Sequence, residues 1–397
     1  MEQPVAKLEC LACEHRDYRM TSRPVGDLVT NACPKCGGDM TVMSRGKLPS
    51  KFELIMNLVN ERFYISDFVA ASGNLRFIVE SENRKEAFSD LIEDLRGEGY
   101  IAKLREDEGE LVLLVHKSPK VGESNILINL LLFVATIGTT FGVAGYWFLY
   151  DGNILNAALF SSALLGVLGT HELGHKFSCY RNKVDATWPY FIPLPHPLLG
   201  TLGAVIKNKG PIPSKEALTE LGASGPLFGI VLAVPVAIVG LVLSQPTGGE
   251  EFVFGESLAE LHLPTPLLYA LFELSIFGSI PKAPALHPFA WVGFIVILVT
   301  WLNLLPAGSL DGGHVLRSLM SQEKHYALSR IVGILLLLAG LLWAGFLIFG
   351  LFVLFVVGRP HPGALDDATE LEKNHKILAI VTLLVFVLCI PIPLWVI

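Results

Sequence analysis

The sequence predicts a polytopic α-helical membrane protein of about six spans, preceded by a polar head that folds outside the bilayer. Three observations predict it. The 397 residues are 52% hydrophobic and only 17% charged, a balance too apolar for an ordinary soluble domain. The charge is unevenly spread, with 17 Lys/Arg and 20 Asp/Glu in residues 1–120 and only 13 and 17 beyond them. Past that boundary, apolar runs recur that are long enough to cross ~30 Å of hydrocarbon.

The head comes first. No charged start followed by a short apolar run and a small-residue cleavage site opens the chain, so the head is expected to stay in the cytosol. Four of the six cysteines form two C-x-x-C units, Cys10-Leu11-Ala12-Cys13 and Cys33-Pro34-Lys35-Cys36, the spacing of two knuckles that close a tetrahedral thiolate site. Four thiolates leave no open position for substrate water. The metal expected there is therefore structural zinc, with iron as the rival. Cys179 and Cys389 lie in or beside apolar segments and stand apart from this group.

Residues 1–48 are thus read as a zinc ribbon. Residues 49–118 are read as a small α+β cytosolic domain: a helical pattern around Phe52 to Phe63, strand-like runs from Phe68 to Val79, a charged helix from Arg84 to Leu95, and strands at Tyr100 to Leu104 and Leu111 to Val115. The net charge of -7 arises without a dense basic patch, so nucleic acid is not an expected partner.

Residues 119–397 form the membrane domain. Candidate spans run over Asn125–Tyr150, from the Asp151-Gly152-Asn153 turn to about Tyr180, and over Gly222–Ser244, Pro288–Leu305, Ile331–Val357 and Lys376–Pro393. The fifth is long and rich enough in glycine to be tilted or split. Residues 176–215 carry six Lys/Arg, whereas residues 245–287 carry one Lys against five Glu, which places the former connection in the cytosol. Even span counting then returns the C-terminus to the cytosol as well. The Pro-rich stretch 186–210 contains Gly200 to Val205, too apolar for a free loop and too broken for a helix, and is expected to be a re-entrant or edge-strand element.

Chemistry enters within the second span as His171-Glu172-Leu173-Gly174-His175. A four-residue separation puts both imidazoles on one helical face, where they suit two zinc ligands with Glu172 as a flanking base. The bland alternative is a helix-packing histidine pair, which leaves Glu172 unexplained at a depth where an ionisable group costs roughly 2.5–3.5 kcal/mol. A catalytic zinc needs a third protein ligand and an open position. At the end of span four, Asn303-Leu304-Leu305-Pro306-Ala307-Gly308-Ser309-Leu310-Asp311-Gly312-Gly313-His314 supplies a carboxylate in a Pro/Gly-broken segment. Pro306 removes a backbone donor and Gly308, Gly312 and Gly313 permit close approach, so the chain can turn Asp311 toward span two. The alternative is a plain span end with a capping Asp. His314 is either a donor that orients Asp311 or an interfacial histidine, and His196 is a weaker candidate.

These residues resemble the site-2 protease family of intramembrane zinc metalloproteases, with both H-E-x-x-H and N-x-x-P-x-x-x-x-D-G intact. The likeness covers about residues 125–397, including Ala223-Ser224-Gly225-Pro226 and the stretch from His361-Pro362 to Asp366-Asp367. The broken Gly200–Val205 segment and the lack of a PDZ insertion look like the chloroplast-type branch. The resemblance implies hydrolysis of peptide bonds in or near transmembrane segments of membrane-anchored proteins, the substrate being a transmembrane protein in the bilayer. One zinc would be catalytic, on His171, His175 and Asp311, with Glu172 taking a proton from water and passing it to the leaving amine. Asn303 is either a donor to substrate or oxyanion or an interhelical hydrogen bond. A strand at Thr201–Ile206, with Gly203 in it, could pair with an unwound substrate.

Two rival readings remain. One is a zinc-binding membrane protein without protease activity, a scaffold or metal carrier. The other gives the main function to the ribbon as a binding module anchored by the spans.

Overall fold

The computed structural model describes residues 5–45, 50–71, 74–119, 125–148, 153–195, 199–245, 263–281 and 286–393. His196, and Asp151 and Gly152 of the expected turn, lie outside them. The chain forms two compact units, Met1–Val121 with Ala364–Glu370, and Gly122–Gly363 with Leu371–Ile397.

In the first unit, β1 (Val5–Cys10), β2 (Arg16–Met20), β3 (Leu28–Val29), β4 (Met40–Arg45), β5 (Tyr64–Ala71), β6 (Asn74–Glu80), β7 (Tyr100–Asp107) and β8 (Glu110–Lys117) build one sheet in the order β3-β4-β1-β2-β5-β6-β8-β7. Period-two alternation drives it. In β6, Leu75, Phe77 and Val79 are buried while Asn74, Arg76 and Glu80 are exposed. The buried face is covered by α1 (Ser50–Arg62), through Ile55 and Val59, and by α2 (Arg84–Gly97), through Phe88, Leu91 and Leu95. These residues recur every three or four positions, as an amphipathic helix requires.

Two features depart from expectation. The ribbon and the α+β part share the sheet, because β2 pairs antiparallel with β5 (Asp17 opposite Ala71, Arg19 opposite Val69). The break expected at residue 48 therefore does not interrupt the hydrogen bonding. A piece of the expected membrane domain also joins this unit. The Leu104 N–H donates to the Leu365 carbonyl at 2.8 Å, and the Asp367 N–H donates to the Leu104 carbonyl at 2.9 Å. This short parallel addition extends the β7 edge, so residues 364–370 belong with the head.

The second unit contains α3 (Ile126–Phe148), α4 (Ile154–Arg181), β9 (Tyr190–Pro193), β10 (Thr201–Val205), α5 (Lys215–Val242), β11 (Thr265–Pro266), α6 (Leu267–Phe277), α7 (Pro288–Asn303), α8 (Asp311–Leu319), α9 (Gln322–Ala339), α10 (Ala344–Phe352) with a π turn over Val353–Val357, α11 (Lys373–Leu388) and β12 (Pro391–Ile392). Among the described residues three helices, α3, α4 and α5, are long and apolar enough to cross a bilayer, and α6, α7 and α10 with its π turn are shorter apolar helices. The core lies between α4, α5 and α7, where Leu164, Val167, Ala233, Ala237, Trp291 and Ile297 are buried together. A Cβ on Gly293 would lie 2.4 Å from that of Ala237, and one on Gly240 would lie 1.9 Å from the Ala290 nitrogen. Small residues of this kind let helices approach where hydrophobic force between them is weak.

The fifth candidate span, expected to be tilted or split, is split. It breaks at Gly340–Trp343 into α9 and α10, which fold back on each other: a Cβ on Gly333 would meet Leu354 at 2.6 Å, and one on Gly350 would meet the Leu337 nitrogen at 2.8 Å. Arg317 is fully buried and ties the two ends of this hairpin together, Nη1 donating to the Met320 carbonyl and Nε to that of His361. α11 begins where His375 Nε2 lies 3.0 Å from Glu220 Oε1, early in α5, and ends where Pro391 and Ile392 pair with Pro266 and Thr265. The last described residues thus pair with β11, in the α5–α7 connection.

Candidate metal centre

α4 carries His171 and His175 one turn apart, with Leu173 and Phe177 exposed on another face and His171 and Glu172 buried. The two Nε2 atoms are 3.2 Å apart, and Asp311 Oδ2 is 3.4 Å from each. Two ligand bonds of about 2.1 Å at a tetrahedral angle span roughly 3.4 Å, so the three donors fit one zinc ion. The proton positions fit as well. His175 Nδ1 lies 2.8 Å from the Leu221 carbonyl oxygen and must donate to it, which leaves the Nε2 lone pair facing the other donors.

Two local devices bring these side chains together. The first is a glycine face on α5. A Cβ on Gly225 would lie 2.1 Å from His175 Nε2, one on Gly229 would lie 3.2 Å from His171 Nδ1, and one on Gly222 would lie 2.5 Å from the Asp311 carbonyl oxygen. Spacings of three and four residues put all three glycines on one side of the helix. The second device is the turn between α7 and α8, which contains Pro306. Gly308 has φ +52° there. A Cβ on Gly312 would lie 2.0 Å from the Leu304 carbonyl oxygen, and one on Gly313 would lie 2.4 Å from that of Gly308. The turn closes on itself and delivers Asp311 as the first residue of α8, where a carboxylate also suits the helix dipole.

Two further residues surround the triad. Asn303, the last residue of α7, has its Nδ2 3.5 Å from His171 Nε2. The Ile206 backbone N–H, one residue past β10, lies on the side of the Glu172 carboxylate. β10 pairs antiparallel with β9 through Thr201–Pro193, Ala204–Phe191 and Val205–Tyr190, with a register shift between Thr201 and Ala204. Gly203 sits in that shift at φ +94°, a conformation that favours glycine. Among the described residues these two strands form a sheet of their own, which leaves the other edge of β10 unpaired.

His314 does not orient Asp311 by a hydrogen bond among the described residues. Its Nδ1 is instead 2.9 Å from His361 Nε2, and the Gly363 N–H donates to His361 Nδ1. His361 and the α5 glycines went unread as site residues. The glycines had a visible signal in their spacing, whereas His361 had none beyond its motif.

The four cysteines also converge, their sulfurs lying within 4.8 Å of one another. Cys10–Cys36 and Cys13–Cys33 are each separated by 3.6 Å, near the roughly 3.8 Å edge of a tetrahedron with 2.3 Å Zn–S bonds. All four are free thiols.

Residues 159–347 match the model of peptidase family M50. The chain is 30% identical over 236 residues to the probable zinc metalloprotease EGY1, chloroplastic, of Arabidopsis thaliana, covering 58% of this chain and 42% of that protein. It is 31% identical over 228 residues to the protein of the same name in Oryza sativa subsp. japonica, covering 57% and 38%. It is 29% identical over 237 residues to the probable zinc metalloprotease EGY2, chloroplastic, of Arabidopsis thaliana, covering 57% and 40%. The chain thus spans less than half the length of these relatives. No solved structure matches it.

Proposed function

We propose that this chain, which carries a peptidase family M50 segment over residues 159–347, is an intramembrane zinc metalloprotease that hydrolyses peptide bonds in or near transmembrane segments of membrane-anchored proteins. One observation carries the reading: three donors from α4 and α8, 3.2–3.4 Å apart, beside a buried glutamate on an apolar helix. A zinc on His171, His175 and Asp311 supplies Lewis-acid polarisation of a carbonyl and a nucleophilic water at neutral pH.

The chain's own residues do the rest. Glu172 takes the proton of the attacking water and returns it to the leaving amine nitrogen. Asn303 Nδ2, beside His171, donates to the oxygen on which charge develops. The free edge of β10 pairs with the unwound substrate backbone and aligns the scissile bond with Glu172. The four-cysteine cluster holds a second, structural zinc. The segment 176–215, with its six Lys/Arg, faces the cytosol together with the N-terminal unit.

The test is Glu172→Gln in the full chain, reconstituted with a single-span substrate. Cleavage should fall by about 10²–10⁴-fold, the range for loss of a general base, while zinc content stays unchanged. A non-proteolytic metal carrier or scaffold predicts no cleavage by the parent chain, and retained cleavage in the variant removes Glu172 from the reaction.

A further inference from the structure

Strands β2, β5, β6 and β8 lie side by side in the N-terminal unit, and one row of partners crosses them: Arg19 opposite Val69, Val69 opposite Arg76, and Arg76 opposite Leu114. Alternation puts this row on the sheet face away from Phe77 and Leu113, which α1 and α2 cover. A cavity of about 790 Å³ opens over the row, and its walls include Lys35 of the second knuckle and His15 beside the first.

The lining is one-sided in charge. It contains Arg19, Lys35, Arg76 and the imidazoles of His15 and His116, and no carboxylate, in a chain whose net charge is -7. Arg19 is engaged by Asp17 at 2.6 Å, whereas Lys35 and Arg76 form no ion pair among the described residues and are exposed. The Nε2 of His15 is buried without a hydrogen-bond partner, and a buried polar atom of that kind calls for one. Charged and apolar residues alternate from strand to strand, ~4.8 Å apart. A single phosphate meets only one of the charges, whereas an extended peptide lying across the strands meets the whole row.

We propose that this groove binds an extended acidic-apolar segment of another protein, with carboxylates on Lys35 and Arg76 and apolar side chains over Val69 and Leu114. The assignment stands independently of the protease reading. Where both hold, the segment is the cytosolic tail of a substrate.

The experiment uses the full chain in neutral-lipid nanodiscs and a fluorescent Glu/Val peptide of repeat Glu-Ser-Val-Ser, which puts Glu and Val on one face of an extended chain, with its Lys/Val counterpart and phosphatidylserine vesicles as comparisons. The Glu/Val peptide should bind, weaken as salt rises, and weaken at least about tenfold in Lys35→Glu and in Arg76→Glu. Both side chains are exposed, so circular dichroism and zinc content should be those of the parent. Equal binding of the Lys/Val peptide, or no loss on charge reversal, overturns the proposal. Binding to the anionic vesicles that the same variants abolish, without binding of the Glu/Val peptide, assigns the groove to lipid and overturns it equally.

Discussion

The two donor clusters of this chain are built in opposite ways. The four cysteines come from two short knuckles, each closed within a few residues: the Gly37 N–H donates to the Cys33 carbonyl and the Glu14 N–H to that of Cys10. Each knuckle ends in a left-handed residue, Glu14 at φ 54° and Gly37 at φ 72°. The His171–His175–Asp311 cluster joins a helix to a turn more than a hundred residues later, and it exists only if α5 lies against both. Four thiolates saturate a tetrahedral ion and leave it inert, while three donors leave a position for chemistry. The local site asks little of the fold around it. The distant one asks for the whole helical unit.

The strongest way to break this contrast is Gly225→Ala. A methyl group there would lie 2.1 Å from His175 Nε2, far inside contact distance and on a helix held against α4, so the imidazole must leave its place. Cleavage should be lost, and metal analysis should show the loss of one zinc equivalent, while the cysteine site keeps its own. If Gly225→Ala retains both metal and activity, the glycine face is not what seats His175. The same substitution at Gly203, where a Cβ meets nothing within 4 Å, should leave metal content unchanged.

Next in size is the response to acid. Burial raises the Cys33 thiol, but the backbone N–H groups of Lys35 and Cys36 outweigh it and bring the group from 9.0 down to about 7. The neighbouring thiols push Cys36 the other way, up to about 12, so without metal the two shifts oppose each other and the response to pH is set by metal binding. Metal binding weakens as pH falls, because thiolates are the ligands and protons compete for them. Chelator challenge should therefore strip the ribbon zinc severalfold faster at pH 6 than at pH 8, with loss of β-sheet signal. Zinc release that is independent of pH would mean the thiols do not hold the ion.

Much of this was legible in the residues. The C-x-x-C spacing, the two imidazoles four apart and the Pro/Gly break before Asp311 each encode local geometry, and the structure brings all seven donor residues into their two groups. The helices and strands between Phe52 and Val115 also followed from periodicity, whereas the ribbon strands β1–β4 were not assigned from the sequence. Two things were hidden because they depend on partners distant in sequence. The glycines of the fifth apolar run left a split open, but only the packing of Gly333 against Leu354 shows that its halves double back. Residues 364–370 carry no strand pattern of their own and are ordered by the edge of β7. The α5 glycines were visible but carried no meaning until the imidazoles they admit were in place.

The smallest expected effect concerns the strand rather than the metal. Gly203 has φ +94°, which proline, fixed near -65°, cannot adopt. Gly203→Pro should therefore distort β10 between Thr201 and Ala204, where the register already shifts, without reaching His171, His175 or Asp311. If the free edge of β10 aligns substrate, kcat/KM should fall about tenfold, an alignment loss of about 1.4 kcal/mol, with zinc content unchanged. Cleavage of a short peptide too small to pair along the strand should be far less affected than that of a full transmembrane substrate. Equal loss on both substrates would trace the effect to the catalytic residues and not to strand pairing, and no loss on either would remove β10 from substrate binding.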